Sequence, residues 1–126
     1  MLIVLSPAKT LDYSDQNLTD SYSQPVFQEE AEMLVNKLSK MTTPALGRLM
    51  SLSKNLSQLN VQRYQEFGFP FTPDNAKQAI LAFKGDVYVG LEADTFDETD
   101  HEFAQAHLRI LSGLYGILRP KDLMQP

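Results

Sequence analysis

At three places this chain carries a helix-opening signal, and together these signals cut it into short segments. In "TTPALGRLM", Thr43 suits the N-cap and Pro44 the first helical position. In "TPDNAKQAILAFKG", Thr72 is the cap, Pro73 lies in the first turn, and Asp74 supplies an acid that the helix dipole favours. In "TDHEFAQAHLRIL", Thr99 is followed three residues later by Glu102, which is a capping box. Gly68, Pro70, Gly85 and Gly113 act as stops. A chain punctuated this often builds short helices and leaves room only for short strands. The expectation is a mixed α/β (α+β) fold, helix-rich, with a few short strands.

The apolar spacing fills in the elements. "LIVL" at 2–5 reads as a buried strand ending at Ser6-Pro7, and 10–26 as a polar loop or extended arm. A helix runs from Phe27, with Ala31, Leu34, Val35 and Leu38 inward and Glu29, Glu30 and Glu32 in its early turns. Leu46, Leu49 and Met50 form the next apolar face, and 55–67 is helical through Leu56, Leu59, Tyr64 and Phe67. The helix after Thr72 turns Ala76, Ile80 and Phe83 to one side and stops at Gly85. "VYVGL" reads as a short strand. The last helix carries Phe103, Ala106, His107 and Ile110 as its inner stripe.

Composition narrows the function classes. The 126 residues suit one domain. With no cysteine there is no disulfide framework, no thiol catalysis and no thiolate metal site, which suits a reducing cytosol. The start lacks a basic n-region and a cleavage site, and no apolar run reaches the roughly 20 residues of a membrane span. Net charge is −5. Residues 91–106 hold six acids, Glu92, Asp94, Asp97, Glu98, Asp100 and Glu102, and no Lys or Arg, so the rest of the chain sums to +1. A broadly basic nucleic-acid binder is excluded, while a local basic site is not.

Four features carry candidate chemistry. Ser6-Pro7-Ala8-Lys9 matches S-x-x-K formally, but its partner motifs are absent and a strand precedes it. Lys9 reads either as a ligand-cleft residue at a strand end or as a surface lysine in a turn. Lys84-Gly85-Asp86 reads as a helix C-terminus favoured by the dipole, with a ligand role as the alternative. His101 and His107 lie six apart and read as core or boundary residues, and the acidic run lacks a calcium-loop order, so no metal is expected. In "LSGLYGILRP", Gly113 and Gly116 bracket a turn after a helix, with Arg109, Arg119 and Lys121 beside it. Such a turn either ends a helix or offers bare N–H groups to an anion, in the manner of a helix-hairpin-helix.

"MLIVLSPAKTLD", "FTPDNAKQAILAFKGDVYVGL" and "FAQAHLRILSGLYGILRPKDLMQP" together resemble the bacterial YaaA family of peroxide-stress-response proteins. The blocks span the chain in order, and family members run to about twice this length. Residues 1–126 therefore read as the N-terminal portion of one larger single-domain fold, with the C-terminal half as a missing partner. The resemblance implies a cytoplasmic bacterial protein that helps limit free intracellular iron under hydrogen peroxide and binds double-stranded DNA, structured DNA included. It implies a basic cleft and a helix-hairpin-helix. No cofactor is expected. The matching residues are Lys9, Lys84, Gly85, Asp86, Arg109, Gly113, Tyr115, Gly116, Arg119 and Pro120, and Lys121 stands beside them. The alternative is an enzyme acting on a small anionic or nucleotide-like substrate, with Lys9 and Lys84 as electrostatic stabilisers and Asp86 as acid or base. Catalytic residues are not assignable from the sequence.

Overall fold

Main-chain pairing, more than helical periodicity, decides the middle of this chain. The computed structural model describes residues 1–15 and 20–126. The strands are β1 (Ile3–Leu5), β2 (Thr10–Leu11), β3 (Lys77–Gln78), β4 (Phe83–Lys84), β5 (Leu108–Ser112), β6 (Gly116–Leu118) and β7 (Leu123–Met124). The helices are α1 (Gln28–Leu38), α2 (Thr43–Met50), α3 (Lys54–Glu66), α4 (Ala79–Ala82), α5 (Asp86–Leu91) and α6 (Glu98–His107), with a 3-10 turn at Ala93–Thr95. The fold is mixed α+β, helix-rich with short strands. It divides into two units, Met1–Phe27 with Pro70–Pro126, and Gln28–Phe69.

The larger unit is organised by a three-stranded sheet in the order β1-β5-β6, with β1 parallel to β5 and β5 antiparallel to β6. Leu108, Ile110 and Leu118 turn inward and are buried, alternating with Arg109 and Leu111 on the other face. β1 is an edge strand rather than the buried strand expected at 2–5. Among the described residues its pairing reaches β5 on one side only, and Val4 is 53% exposed. Of the arm expected over 10–26, Thr10–Leu11 pairs with β4 and Ser23 bridges to Asp122, while 16–19 lie outside the described residues.

The single long helix expected over 72–85 does not form. Ala76 through Phe83 is an unbroken buried run, and a run buried all round has no polar face to set a helical phase. Its backbone pairs instead with residues 120–124. β3 lies antiparallel to β7, and the Ala79 and Ile80 N–H groups donate to the Asp122 and Pro120 carbonyls at 2.9 and 3.1 Å. Only α4 remains helical, before β4 pairs antiparallel with β2. "VYVGL" is helical as α5, not a strand. Val87 and Val89 point outward, while Tyr88 alone is buried, stacked on Phe83 at 5.5 Å and donating to the Ser6 carbonyl at 2.6 Å.

α6 is capped two residues before the expected Thr99. Asp97 caps it reciprocally with Asp100, so the box is Asp97/Asp100 rather than Thr99/Glu102. The buried stripe shifts accordingly to His101, Ala104 and Leu108, leaving Phe103 and Ala106 exposed. The expected helix-hairpin-helix is a β-hairpin. β5 and β6 are joined by Gly113-Leu114-Tyr115, a three-residue loop closed by the Tyr115 N–H on Ser112 Oγ at 3.0 Å. Gly116 takes a φ of +76°, and a Cβ there would meet the Phe27 ring at 3.0 Å, so both backbone and space require glycine. The alternation of Leu108, Ile110 and Leu118 against β1 overrides the helical reading of this block.

The smaller unit follows its sequence signals more closely. Thr42, one residue before the expected cap, accepts from the Ala45 N–H at 3.3 Å, and Pro44 sits in the first turn. Ser53 caps α3. α2 and α3 cross tightly at Gly47, where a Cβ would lie 2.5 Å from Ser57 Oγ. Ala31, Val35 and Leu46 form the buried apolar set, and Leu49 and Met50 stay exposed.

Candidate functional site

The hairpin cations expected to face phosphate are bonded within the protein. Arg119 grips the fully buried Asp122 through Nε and Nη2, at 3.1 and 2.9 Å to Oδ1, and Nη2 also donates to the Gln24 carbonyl at 2.8 Å. The Arg119 N–H donates to Asp122 Oδ2 at 2.8 Å, and Ser23 Oγ donates to Oδ1 at 2.6 Å. The buried Lys121 ammonium is held by Ser21 Oγ at 3.0 Å and Glu98 Oε1 at 3.3 Å. Arg109 Nη1 donates to the Gln105 and Leu108 carbonyls at 2.8 and 2.7 Å. Tyr115 is buried, with its hydroxyl donating to the Gln125 carbonyl and accepting from the Gln125 N–H. Gly113 and Gly116 shape the turn. This block acts as a clasp that fastens the hairpin to the β3–β7 region.

Lys9 and Lys84 stand differently. The chain leaves β1 at Ser6-Pro7, and the turn carries Lys9 outward at the C-terminal end of a parallel strand, where mixed sheets open their ligand clefts. β2 then pairs with β4, setting Thr10 opposite Lys84. Lys9, Lys84, Gly85 and Asp86 therefore line one cleft of about 260 Å³. Both lysines are exposed, Lys84 at 58% of its side chain. Tyr88 closes the floor through its bond to the Ser6 carbonyl, and burial pushes its hydroxyl up to about 12, so it stays a donor at neutral pH.

Asp12 sets the field on the other side of Lys84. Its carboxylate accepts from the Ser14 hydroxyl and N–H at 2.5 and 2.9 Å, and lies 3.7 Å from Lys84 Nζ and 4.0 Å from Lys77 Nζ. These bonds, and then the two ammonium groups, hold it down to about 2. Lys77 is buried and donates to the Asp12 and Ser14 carbonyls, and burial lowers its pKa. Lys84 and Tyr88 also line a second cleft of about 290 Å³, with Asp12, Phe83, Glu92 and Asp94. Glu92 is held there in the left-handed region at φ 52°, an uncommon conformation for a side chain of this kind.

Sequence reading singled out Lys9, Lys84 and Asp86, and missed Asp12, Tyr88 and Glu92 as neighbours. Tyr88 was hidden by the strand-like alternation around it. Asp12 depends on the β2–β4 pairing, which two-residue strands do not announce. Among the described residues, no cluster of three or more His, Asp or Glu has metal-holding geometry, and no helix is long and apolar enough to cross a membrane.

The strand-end lysine, the Lys84-Gly85-Asp86 corner and the glycine hairpin thus occur in one chain in defined geometry. The family described as peroxide stress protein YaaA matches over residues 1–126. The chain belongs to the peroxide stress protein YaaA family.

Proposed function

We propose that this peroxide stress protein binds double-stranded DNA by its phosphate backbone, with Lys9 and Lys84 as the contacts, and thereby helps limit free intracellular iron during hydrogen peroxide stress. The observation that carries the reading is the convergence of Lys9 and Lys84, both exposed, on one cleft beside a parallel strand end. Arg119 and Lys121 are given structural roles, because they are ion-paired with Asp122 and Glu98 inside the fold, and Arg109 is given one because its Nη1 bonds two main-chain carbonyls. Contacts of this kind fix position on DNA without reading bases, so binding is sequence-tolerant and salt-sensitive.

A second reading is a small anionic or nucleotide-like substrate in the same cleft. It is favoured by Asp86, whose carboxylate shares the concavity with the lysines and is an acid–base candidate. Anisotropy with a labelled duplex and a branched DNA tests both readings. Lys9→Ala and Lys84→Ala, separately and together, weaken DNA binding in low salt if the first reading is right. Unchanged DNA binding in the double variant refutes it. Turnover of a nucleotide-like substrate that is lost in Asp86→Asn supports the second.

A further inference from the structure

The face of α6 that packs on residues 119–122 has an unbonded polar group at its centre. Glu98, His101 and Gln105 lie three and four residues apart, so they form one row along the helix. The two ends of the row are bonded to Lys121. Glu98 Oε1 accepts from the Lys121 ammonium at 3.3 Å, and Gln105 Oε1 accepts from the Lys121 N–H at 2.7 Å. Gln105 Nε2 also donates to Ser23 Oγ at 3.0 Å. Between these contacts His101 is 1% exposed, and among the described residues neither ring nitrogen has a hydrogen-bond partner. The ring packs edge-on against Phe96, with centroids 5.4 Å apart. Such burial costs stability that an apolar residue of the same size would keep. What an imidazole adds is the capacity to take a proton close to neutral pH.

The charges around the ring decide what that proton does. Asp97 and Asp100 are committed to each other's main-chain N–H groups in the α6 cap, and Asp122 is held by Arg119. Glu98 is the carboxylate left to respond, and the buried Lys121 is the cation that already holds it. Burial is the largest influence on His101 and keeps the ring neutral; Lys121 acts in the same sense, against Glu98, Asp100 and Asp97. A proton on the ring would set two buried cations against one carboxylate, and like charges in a buried site repel. We propose that His101 is the proton-sensitive element of a latch between α6 and residues 119–122: protonation draws Glu98 to the imidazolium, frees the Lys121 ammonium and breaks the Gln105 contact. The latch is closed at neutral pH, where the ring is uncharged, and opens on acidification, because the charged ring is solvated only in the open state. Opening turns an internal cation outward on a chain of net charge −5. This inference does not depend on what the lysine cleft binds.

The Lys121 N–H is the reporter, because its acceptor is the Gln105 side chain across the latch. Its amide hydrogen exchange is followed by NMR from about pH 7.5 to about pH 5 and expressed as a protection factor, which removes the intrinsic pH dependence of exchange. Opening takes up one proton, so protection is expected to fall roughly ten-fold per pH unit below about 6.5. In His101→Leu and His101→Gln it holds level across the same range. The first variant keeps the bulk and the second keeps a neutral polar group, so a failure of either to fold leaves the other. Low, non-denaturing urea separates the latch from global unfolding, since a local opening exposes little surface and leaves Lys121 protection level in urea. Protection that ignores pH in the wild-type protein overturns the latch. Protection that falls in urea as steeply as global stability does overturns it as well. A pH-dependent loss that survives in the His101 variants overturns the assignment to His101.

Discussion

Arg119→Ala separates a structural arginine from a phosphate ligand. Removing the guanidinium deletes the paired bonds to Asp122 Oδ1 and the bond to the Gln24 carbonyl. Among the described residues, it leaves a carboxylate with 0% exposure facing only the Arg119 N–H and Ser23 Oγ. An uncompensated buried charge of this sort costs about 3–5 kcal/mol. The lower end applies, because the Arg119 side chain is 34% exposed and water reaches one side of the pair. About 3 kcal/mol corresponds to a loss of roughly 10 °C in Tm for a chain of this size. Asp122→Asn placed in the Arg119→Ala background removes the stranded charge and returns about 1–2 kcal/mol, a non-additivity that two independent sites do not show. Thermal and urea unfolding of the three proteins, followed by circular dichroism, measure it. A wild-type Tm in Arg119→Ala combined with lost DNA binding would refute the structural assignment and return the hairpin to the binding surface.

Three further expectations follow from single groups. His101 is 1% exposed, with neither ring nitrogen hydrogen-bonded, and burial lowers its pKa against the opposing pull of Glu98, Asp97 and Asp100. The unfolded chain then takes up the proton first, so stability falls as pH drops below about 6.5; His101→Leu removes that slope in pH-dependent melts and keeps or raises stability at pH 7. Asp12 works in a lower window: with its folded value at about 2 against 3.8, its contribution is complete above the unfolded value and is lost as pH falls from 3.8 toward 2, a loss absent in Asp12→Asn. Gly47→Ala drives a methyl into Ser57 Oγ and destabilises the α2–α3 crossing by about 1–3 kcal/mol in urea melts, whereas Gly47→Ala/Ser57→Ala recovers most of it.

What could be read from the sequence was local, and what could not was long-range. Caps and prolines marked α2 to within a residue, and the breaks at Gly68 and Pro70 lie just past the end of α3, because those signals act within one turn. The segment 76–83 failed for the opposite reason. Its apolar residues satisfy a helical template, but its backbone donors find acceptors some 40 residues later, at Pro120 and Asp122. Distance hid only part of the role of Arg119: Gln24 lies 95 residues away, whereas Asp122 is an i,i+3 neighbour whose burial the sequence does not announce. Lys9 and Lys84 were visible as candidates, since each sits at an element boundary. Their meeting depends on Thr10 facing Lys84 across a two-residue ladder, which no periodicity reveals.

The salt dependence of DNA binding turns these placements into a number. The chain carries a net charge of −5, so a broad electrostatic footprint is absent and only local cations can release counterions. If Lys9 and Lys84 alone meet phosphate, log K falls with log salt at a slope near −1.8, about −0.9 for each contact. Affinity then drops roughly 12-fold between about 50 and 200 mM salt. If Arg109, Arg119 and Lys121 also reached phosphate, the slope would approach −4.5 and the drop would be roughly 500-fold over the same range. Arg119 and Lys121 already hold Asp122, Glu98 and Ser21, and Arg109 Nη1 holds the Gln105 carbonyl, so the hairpin cations are expected to add little. The shallow slope is therefore the expected one, with Lys84→Ala bringing it to about −0.9. A steep slope in the wild-type protein would mean that the internal clasp opens on DNA, and the two-lysine cleft would no longer account for binding.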